Sequence, residues 1–144
     1  MIVFVLWCSV LISSVQAEKW DSFKGLWRSF DAQTGLWVFT AEIYEKQGKL
    51  NARVIELPGN ASLKYCGNCK PPMKNKPLLG MDIIWDLDFE DDRLEHGKIL
   101  DPCTGSVYDC SLWIGKGGNL HVRGYFKLKA FGKTQIWQAI KSHE

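Results

Sequence analysis

The strongest constraint on this chain is a two-residue rhythm of apolar side chains. Between 36 and 44, Trp37, Phe39, Ala41 and Ile43 form one apolar row while Thr40 and Glu42 fall on the other side. Successive side chains of a strand point to opposite faces, so this spacing suits a strand with one face buried and the other in water. The rhythm returns three times. Leu50, Ala52 and Val54 oppose Asn51 and Arg53; Ile83, Trp85, Leu87 and Phe89 oppose Asp82, Asp86 and Asp88; Leu120, Val122, Gly124 and Phe126 oppose His121 and Arg123. Turn-forming clusters at 31–35, 47–48, 101–105, 115–119 and 131–132 separate the rows, at the spacing of hairpins. No segment sustains a helical period, and there is no internal repeat or low-complexity tract.

These signals predict eight strands, near 25–30, 36–45, 50–57, 81–89, 96–100, 106–114, 119–127 and 134–140. Short links make consecutive strands antiparallel neighbours, which gives a meander. A twisted meander of this size closes into a barrel, an all-β fold without exposed edges whose interior holds side chains or one small ligand. An open sheet or a two-sheet sandwich is the competing arrangement. The long exception is 58–77, rich in Gly, Pro, Asn and Lys, which reads as a surface loop.

Residues 1 to 17 read as a cleavable signal peptide: an apolar stretch from Ile2 to Ile12, then Ser13-Ser14 and small residues before the cleavage point at Ala17. The stretch is too short for a transmembrane helix, which needs about 20 apolar residues. Its removal leaves 18–144, 127 residues, the size of one domain with its own core. The expected location is therefore secreted or periplasmic. A net charge of +2 with scattered charges gives no footprint for nucleic acid.

Four cysteines, Cys66, Cys69, Cys103 and Cys110, follow the signal. In an exported chain they favour disulfides over metal. Three pairings are possible, and the reading preferred here ties the long loop to the strands near 103 and 110. Cys66-Gly67-Asn68-Cys69 also fits a thiol-redox pair or half of a zinc site. Zinc requires all four sulfurs around one ion, and Cys103 sits in a turn while Cys110 lies five residues past Gly105, too far along the strand for all four to meet if it is straight. The acidic run Asp86, Asp88, Glu90, Asp91, Asp92 and Glu95 lacks calcium-loop spacing and reads as a solvated face and turn.

No catalytic constellation emerges. His96, His121 and His143 lie on different elements, and neither a nucleophile elbow nor a zinc-protease motif is present. Gly132-Lys133-Thr134 lacks the first glycine of a phosphate loop. The chain implies no cofactor. Asn60-Ala61-Ser62 matches a glycosylation acceptor pattern. What remains is an aromatic set, Trp27, Trp37, Phe39, Trp85, Trp113, Tyr125 and Trp137. Core packing accounts for most such residues, but a barrel lined by aromatics with one or two polar anchors also holds a small apolar ligand. Arg123 is the anchor if a bulge turns it inward; strict alternation points it outward.

Several motifs occur in one order: Gly25-Leu26-Trp27, Cys66-Gly67-Asn68-Cys69, Pro77-Leu78-Leu79-Gly80-Met81, Gly97-Lys98-Ile99-Leu100-Asp101-Pro102, Gly105 with Tyr108 and Cys110, Leu120-His121-Val122-Arg123-Gly124-Tyr125, and Gly132-Lys133-Thr134-Gln135 with Trp137. Together, over about 24 to 138, they resemble the secreted bacterial proteins grouped as domain of unknown function 2147. The resemblance implies an exported, lipocalin-like or calycin-like eight-stranded up-and-down barrel with a proposed small-molecule-binding role and no established enzymatic activity. The first motif is similar to the Gly-x-Trp of lipocalin first strands, where the Trp plugs the closed end. Cys103 is an addition to the family pattern.

The expected function is a non-enzymatic barrel that binds or carries a small, mainly apolar or amphipathic molecule, lined by Trp37, Phe39, Trp85 and Trp113 with Arg123 or Tyr125 as polar contacts. The competing reading is a solid barrel that contacts a protein partner through 58–77, and a zinc or thiol-redox protein comes third. Carrier and solid barrel differ in whether the interior leaves room.

Overall fold

The computed structural model describes residues 19–140; the expected signal segment, 1–17, lies outside them. Eight strands follow one another: β1 (Gly25–Phe30), β2 (Trp37–Lys46), β3 (Lys49–Glu56), β4 (Asp82–Glu90), β5 (Arg93–Leu100), β6 (Val107–Ile114), β7 (Leu120–Tyr125) and β8 (Gly132–Ala139). Each pairs antiparallel with the next, and β8 returns to β1 through Trp27 to Ser29, closing the barrel. The open sheet and the sandwich are thereby excluded. Most boundaries fall within one or two residues of their expected places, and the largest shift is in β5. β5 begins at Arg93, because Asp91 and Asp92 alone make the turn and Asp91 takes a left-handed φ of 55°. No helix among the described residues is long and apolar enough to cross a membrane.

The alternating rows converge on one core. Ala41, Ile43, Leu50, Ala52, Ile84, Leu87, Leu94, Leu112, Leu120 and Val122 are all buried in it. One end of the barrel is plugged. Residues 19–21 make a helical turn, Trp27 Nε1–H donates to the carbonyl of Phe23 at 2.8 Å, and the Phe23 ring meets Phe89 edge-on at 6.3 Å. The connections 31–36, 101–106 and 126–131 join strands at the opposite, open end, and 57–81 leaves and re-enters the sheet there but packs along the outside of the wall.

Bulges break the rhythm where an extra residue enters a strand. In β4 the pairing passes from Leu50↔Leu87 to Ala52↔Ile84, so one residue too many lies between the paired positions. Asp86 absorbs it at a φ of 62°, and its N–H is held by Oδ1 of Asn51 at 3.0 Å. In β2 the register steps from Ser29↔Phe39 to Phe30↔Trp37, and in β5 His96 sits at a φ of 64° between Leu94 and Gly97. Each bulge reverses which face the following side chains occupy.

A second core lies outside the wall. Cys66, Cys69, Leu78, Met81 and Leu100 are buried together beneath the 57–81 connection, with Trp85 packed against them. A disulfide joins Cys66 to Cys69, with Cα atoms 5.3 Å apart. Cys103 is free and exposed, and Cys110 is free and buried. The expected bridges from the long loop to 103 and 110 are therefore corrected. Cys110 belongs to the barrel's inner cluster and Cys66 to the outer one, so the sheet wall stands between them.

Candidate functional site

Residues directly opposite in a ladder share a face, so each aromatic can be placed from the pairing and burial. Trp27, Phe39 and Trp137 face inward: Trp27 and Trp137 belong to the core and Phe39 packs against it. The other expected contacts do not line the interior. The β2 bulge puts Trp37 opposite Phe30 on the outer face, where the Arg28 guanidinium lies 4.5 Å from its ring. Trp85 is carried out by the Asp86 bulge onto the disulfide cluster. Trp113 stacks on His121 at 5.2 Å, with Arg93 over its ring at 4.6 Å.

Arg123 points outward, as strict alternation requires. Its Nε and Nη2 donate to the carbonyl of Lys129 at 2.9 and 2.7 Å and its Nη1 to Thr134, so it clamps the 126–131 turn. Tyr125 shares that outer face. It borders a surface cleft of about 390 Å³ with Glu95 and Lys129, and burial raises its phenol pKa above the usual value. Glu95 is buried there, accepting from Ser111 Oγ at 2.9 Å and paired with Lys129 at 2.9 Å. A second cleft of about 430 Å³ lies beside Trp85, Asn51 and Asp82. Tyr44 donates to Asp82 at 2.6 Å nearby, and its pKa is raised by burial and by that carboxylate.

Inside, the barrel changes character at Trp137. On β7 and β6 the inward side chains Leu120, Val122 and Leu112 are buried. Beyond it the inward row of β8 runs through Gln135 and Lys133, opposite Val122 and Gly124, and both are exposed. Solvent thus reaches this row as far as Gln135, two residues from the buried indole of Trp137. Its Nε1–H donates to Oε1 of Gln135 at 3.2 Å. The edge of Phe39 lies against it at 5.3 Å, and Ser29 is the β1 residue paired with both Phe39 and Trp137. Tyr108, opposite Ile99, completes the inward positions at this level. An aromatic floor with a hydroxyl, an amide, a phenol and an ammonium around it can seat an apolar body and orient a polar head.

Ser29, Tyr108, Lys133 and Gln135 escape a reading that looks for apolar rows. The signal that finds them is the phase of the row itself: counting back by two from Trp137 gives Gln135 and Lys133, polar residues on an inward face.

The family model described as an uncharacterized protein conserved in bacteria (DUF2147) matches residues 25–139, the whole barrel from β1 to β8. This chain belongs to the DUF2147 family. Like this DUF2147 barrel, protein HP1028 from the human pathogen Helicobacter pylori, whose solved structure is described as belonging to the lipocalin family, has the same fold. The two align with a TM-score of 0.71 over 83% of each chain at 20% identity. No curated protein matches the chain. The DUF2147 barrel is therefore lipocalin-like, closed, eight-stranded and antiparallel throughout.

Proposed function

We propose that this protein binds a small, mainly apolar molecule at the mouth of its barrel, outside the cytoplasm and without catalysing a reaction. The observation that carries this reading is the inward row of β8, which passes from fully buried Trp137 to exposed Gln135 within two residues. A barrel filled from end to end would bury both. The lipocalin-like fold supports the same reading, since such barrels hold one small ligand. Export is supported by the Cys66–Cys69 disulfide, a crosslink that persists in oxidising compartments, and by the signal-like 1–17.

The ligand's apolar part rests on Phe39 and Trp137 while Gln135, Tyr108 or Lys133 meets its polar end. Titration with an anilinonaphthalene dye, then displacement by straight-chain fatty acids and alcohols, tests this. Phe39→Ala should weaken binding about tenfold, roughly 1.4 kcal/mol, and Trp85→Ala on the outer cluster should leave it unchanged. Loss in Trp85→Ala with retention in Phe39→Ala moves the site out of the mouth.

A further inference from the structure

We propose that Cys66, Cys69 and Cys103 form a thiol–disulfide exchange site, in which the exposed Cys103 thiol passes electrons from an external dithiol to the buried Cys66–Cys69 bridge. The bridge itself is closed to solvent, with Cys66 0% and Cys69 3% exposed. Cys103 is free and exposed, while Cys110 is buried in the barrel's inner cluster and takes no part. An exposed cysteine left over beside a disulfide has a partner with which to exchange.

The fold seats Cys103 against the bridge. The 101–105 turn lies on residues 66–69: Asn68 Nδ2–H donates to the Cys103 carbonyl at 2.8 Å, and a methyl group on Gly105 would stand 3.0 Å from the Cys69 nitrogen. Asp101 Oδ1 accepts from Cys103 N–H at 2.9 Å and fixes the turn. Cys66 Sγ lies 4.0 Å from the Pro102 carbonyl oxygen. Across a trans peptide that oxygen is about 2.8 Å from the Cα of Cys103, which is therefore within about 7 Å of the Cys66 sulfur. A cysteine Sγ stands about 2.8 Å from its own Cα, so rotation about χ1 sweeps the Cys103 thiol across much of the gap. Cys66 is the sulfur it attacks. Held on the adjoining turn, Cys103 meets the bridge at an effective concentration above that of a thiol in solution.

The Cys103 thiolate attacks Cys66 Sγ. The Cys66–Cys103 bond forms as the Cys66–Cys69 bond breaks, and Cys69 leaves as a thiolate that takes up the proton Cys103 gave up. The new bridge carries one exposed sulfur, that of Cys103. An external dithiol attacks there and releases Cys66 as a thiol. Its second sulfur then closes on the first, so that it departs as a cyclic disulfide and frees Cys103. Two electrons have passed from the dithiol to Cys66 and Cys69, and Cys103 ends as it began. The exchange is independent of whether the mouth takes a ligand.

Dithiothreitol tests the relay. Protein purified without residues 1–17, which carry Cys8, is treated with it in mildly alkaline buffer without denaturant, and timed samples are trapped with N-ethylmaleimide and weighed. Wild type should lose the Cys66–Cys69 bridge about tenfold or more faster than Cys103→Ser. Oxidised glutathione added to Cys69→Ser should join Cys66 to Cys103, a link identified by peptide mass. Near-ultraviolet circular dichroism checks that both variants keep the fold; if Cys69→Ser does not, the Cys103→Ser rate alone decides. Equal reduction rates in wild type and Cys103→Ser overturn the proposal. So does a folded Cys69→Ser in which Cys66 and Cys103 stay unjoined, or in which Cys66 pairs with Cys110.

Discussion

The ring of Phe39 meets the indole of Trp137 edge-on, with centroids 5.3 Å apart and planes at 90°. Trp137 is wholly buried and Phe39 only partly, so the pair marks the level at which the packed half of the barrel gives way to the mouth. Trp137→Ala should therefore cost about 3–5 kcal/mol, the range for emptying a core of a large aromatic. Phe39→Ala should cost less than half as much. Urea unfolding followed by far-ultraviolet circular dichroism checks both; equal costs would mean that Phe39 is as much a core residue as Trp137.

The cysteines make a second test. With Cys66 and Cys69 joined, Cys103 exposed and Cys110 buried, the native protein purified without residues 1–17, which carry Cys8, should react with a thiol reagent once, at Cys103. A second thiol should appear only on unfolding. Intact mass after blocking should show one disulfide, two hydrogens below the fully reduced chain. Two bridges, or two thiols reactive in the native state, contradict the structure.

Burial, reinforced by the neighbouring Asp109 carboxylate, pushes the Cys110 thiol from 9.0 up to about 12. A pKa raised by folding means that the group's contribution is intact below pH 9.0 and is lost between 9.0 and about 12, where the unfolded chain gives up its proton first. Wild type should lose stability over this interval faster than Cys110→Ala, by up to about 1.4 kcal/mol per pH unit. Parallel profiles in alkaline urea titrations would show that the thiol is not sequestered.

Gly105 holds two connections together. Its φ is 76°, and a methyl group there would stand 1.9 Å from the carbonyl oxygen of Asn68, whose side chain donates to Cys103 O at 2.8 Å. Gly105→Ala should destabilise by about 2 kcal/mol or more through this clash and the left-handed backbone. Gly117, at a φ of 86° with open space around it, carries the conformational strain alone, and Gly117→Ala should cost about 1 kcal/mol. Thermal melts of the pair separate clash from strain; indistinguishable melts would remove the contact with Asn68.

The strands and the barrel were legible because alternation and turn spacing are local. The placement of the aromatics was not. Ile83, Trp85, Leu87 and Phe89 form a flawless row in sequence, yet Asp86 interrupts it, held by Asn51 35 positions earlier. Asp, Asn and His tolerate positive φ better than most residues, and Asp86 and His96 both use it, but nothing local says where. Trp37 left the interior for the same reason. The cysteine pairing was also beyond local reading, since it depends on which side of the sheet each sulfur faces. Arg123, expected as a polar contact of the ligand, instead follows plain alternation to the outside, and there it fixes the turn bearing Phe126 and Phe131.

The central claim is that a ligand sits in the mouth, above Trp137. Nitrogen-15 correlation spectra resolve indole N–H groups separately from the backbone, and titration with a straight-chain fatty acid reads the claim directly. The account predicts large shifts of the Trp137 indole and the Gln135 side-chain amide, with the Trp27 indole, bonded to Phe23 at the plugged end, unmoved. Shifts confined to Trp85 and Trp113, or no shifts at saturating ligand, would contradict it.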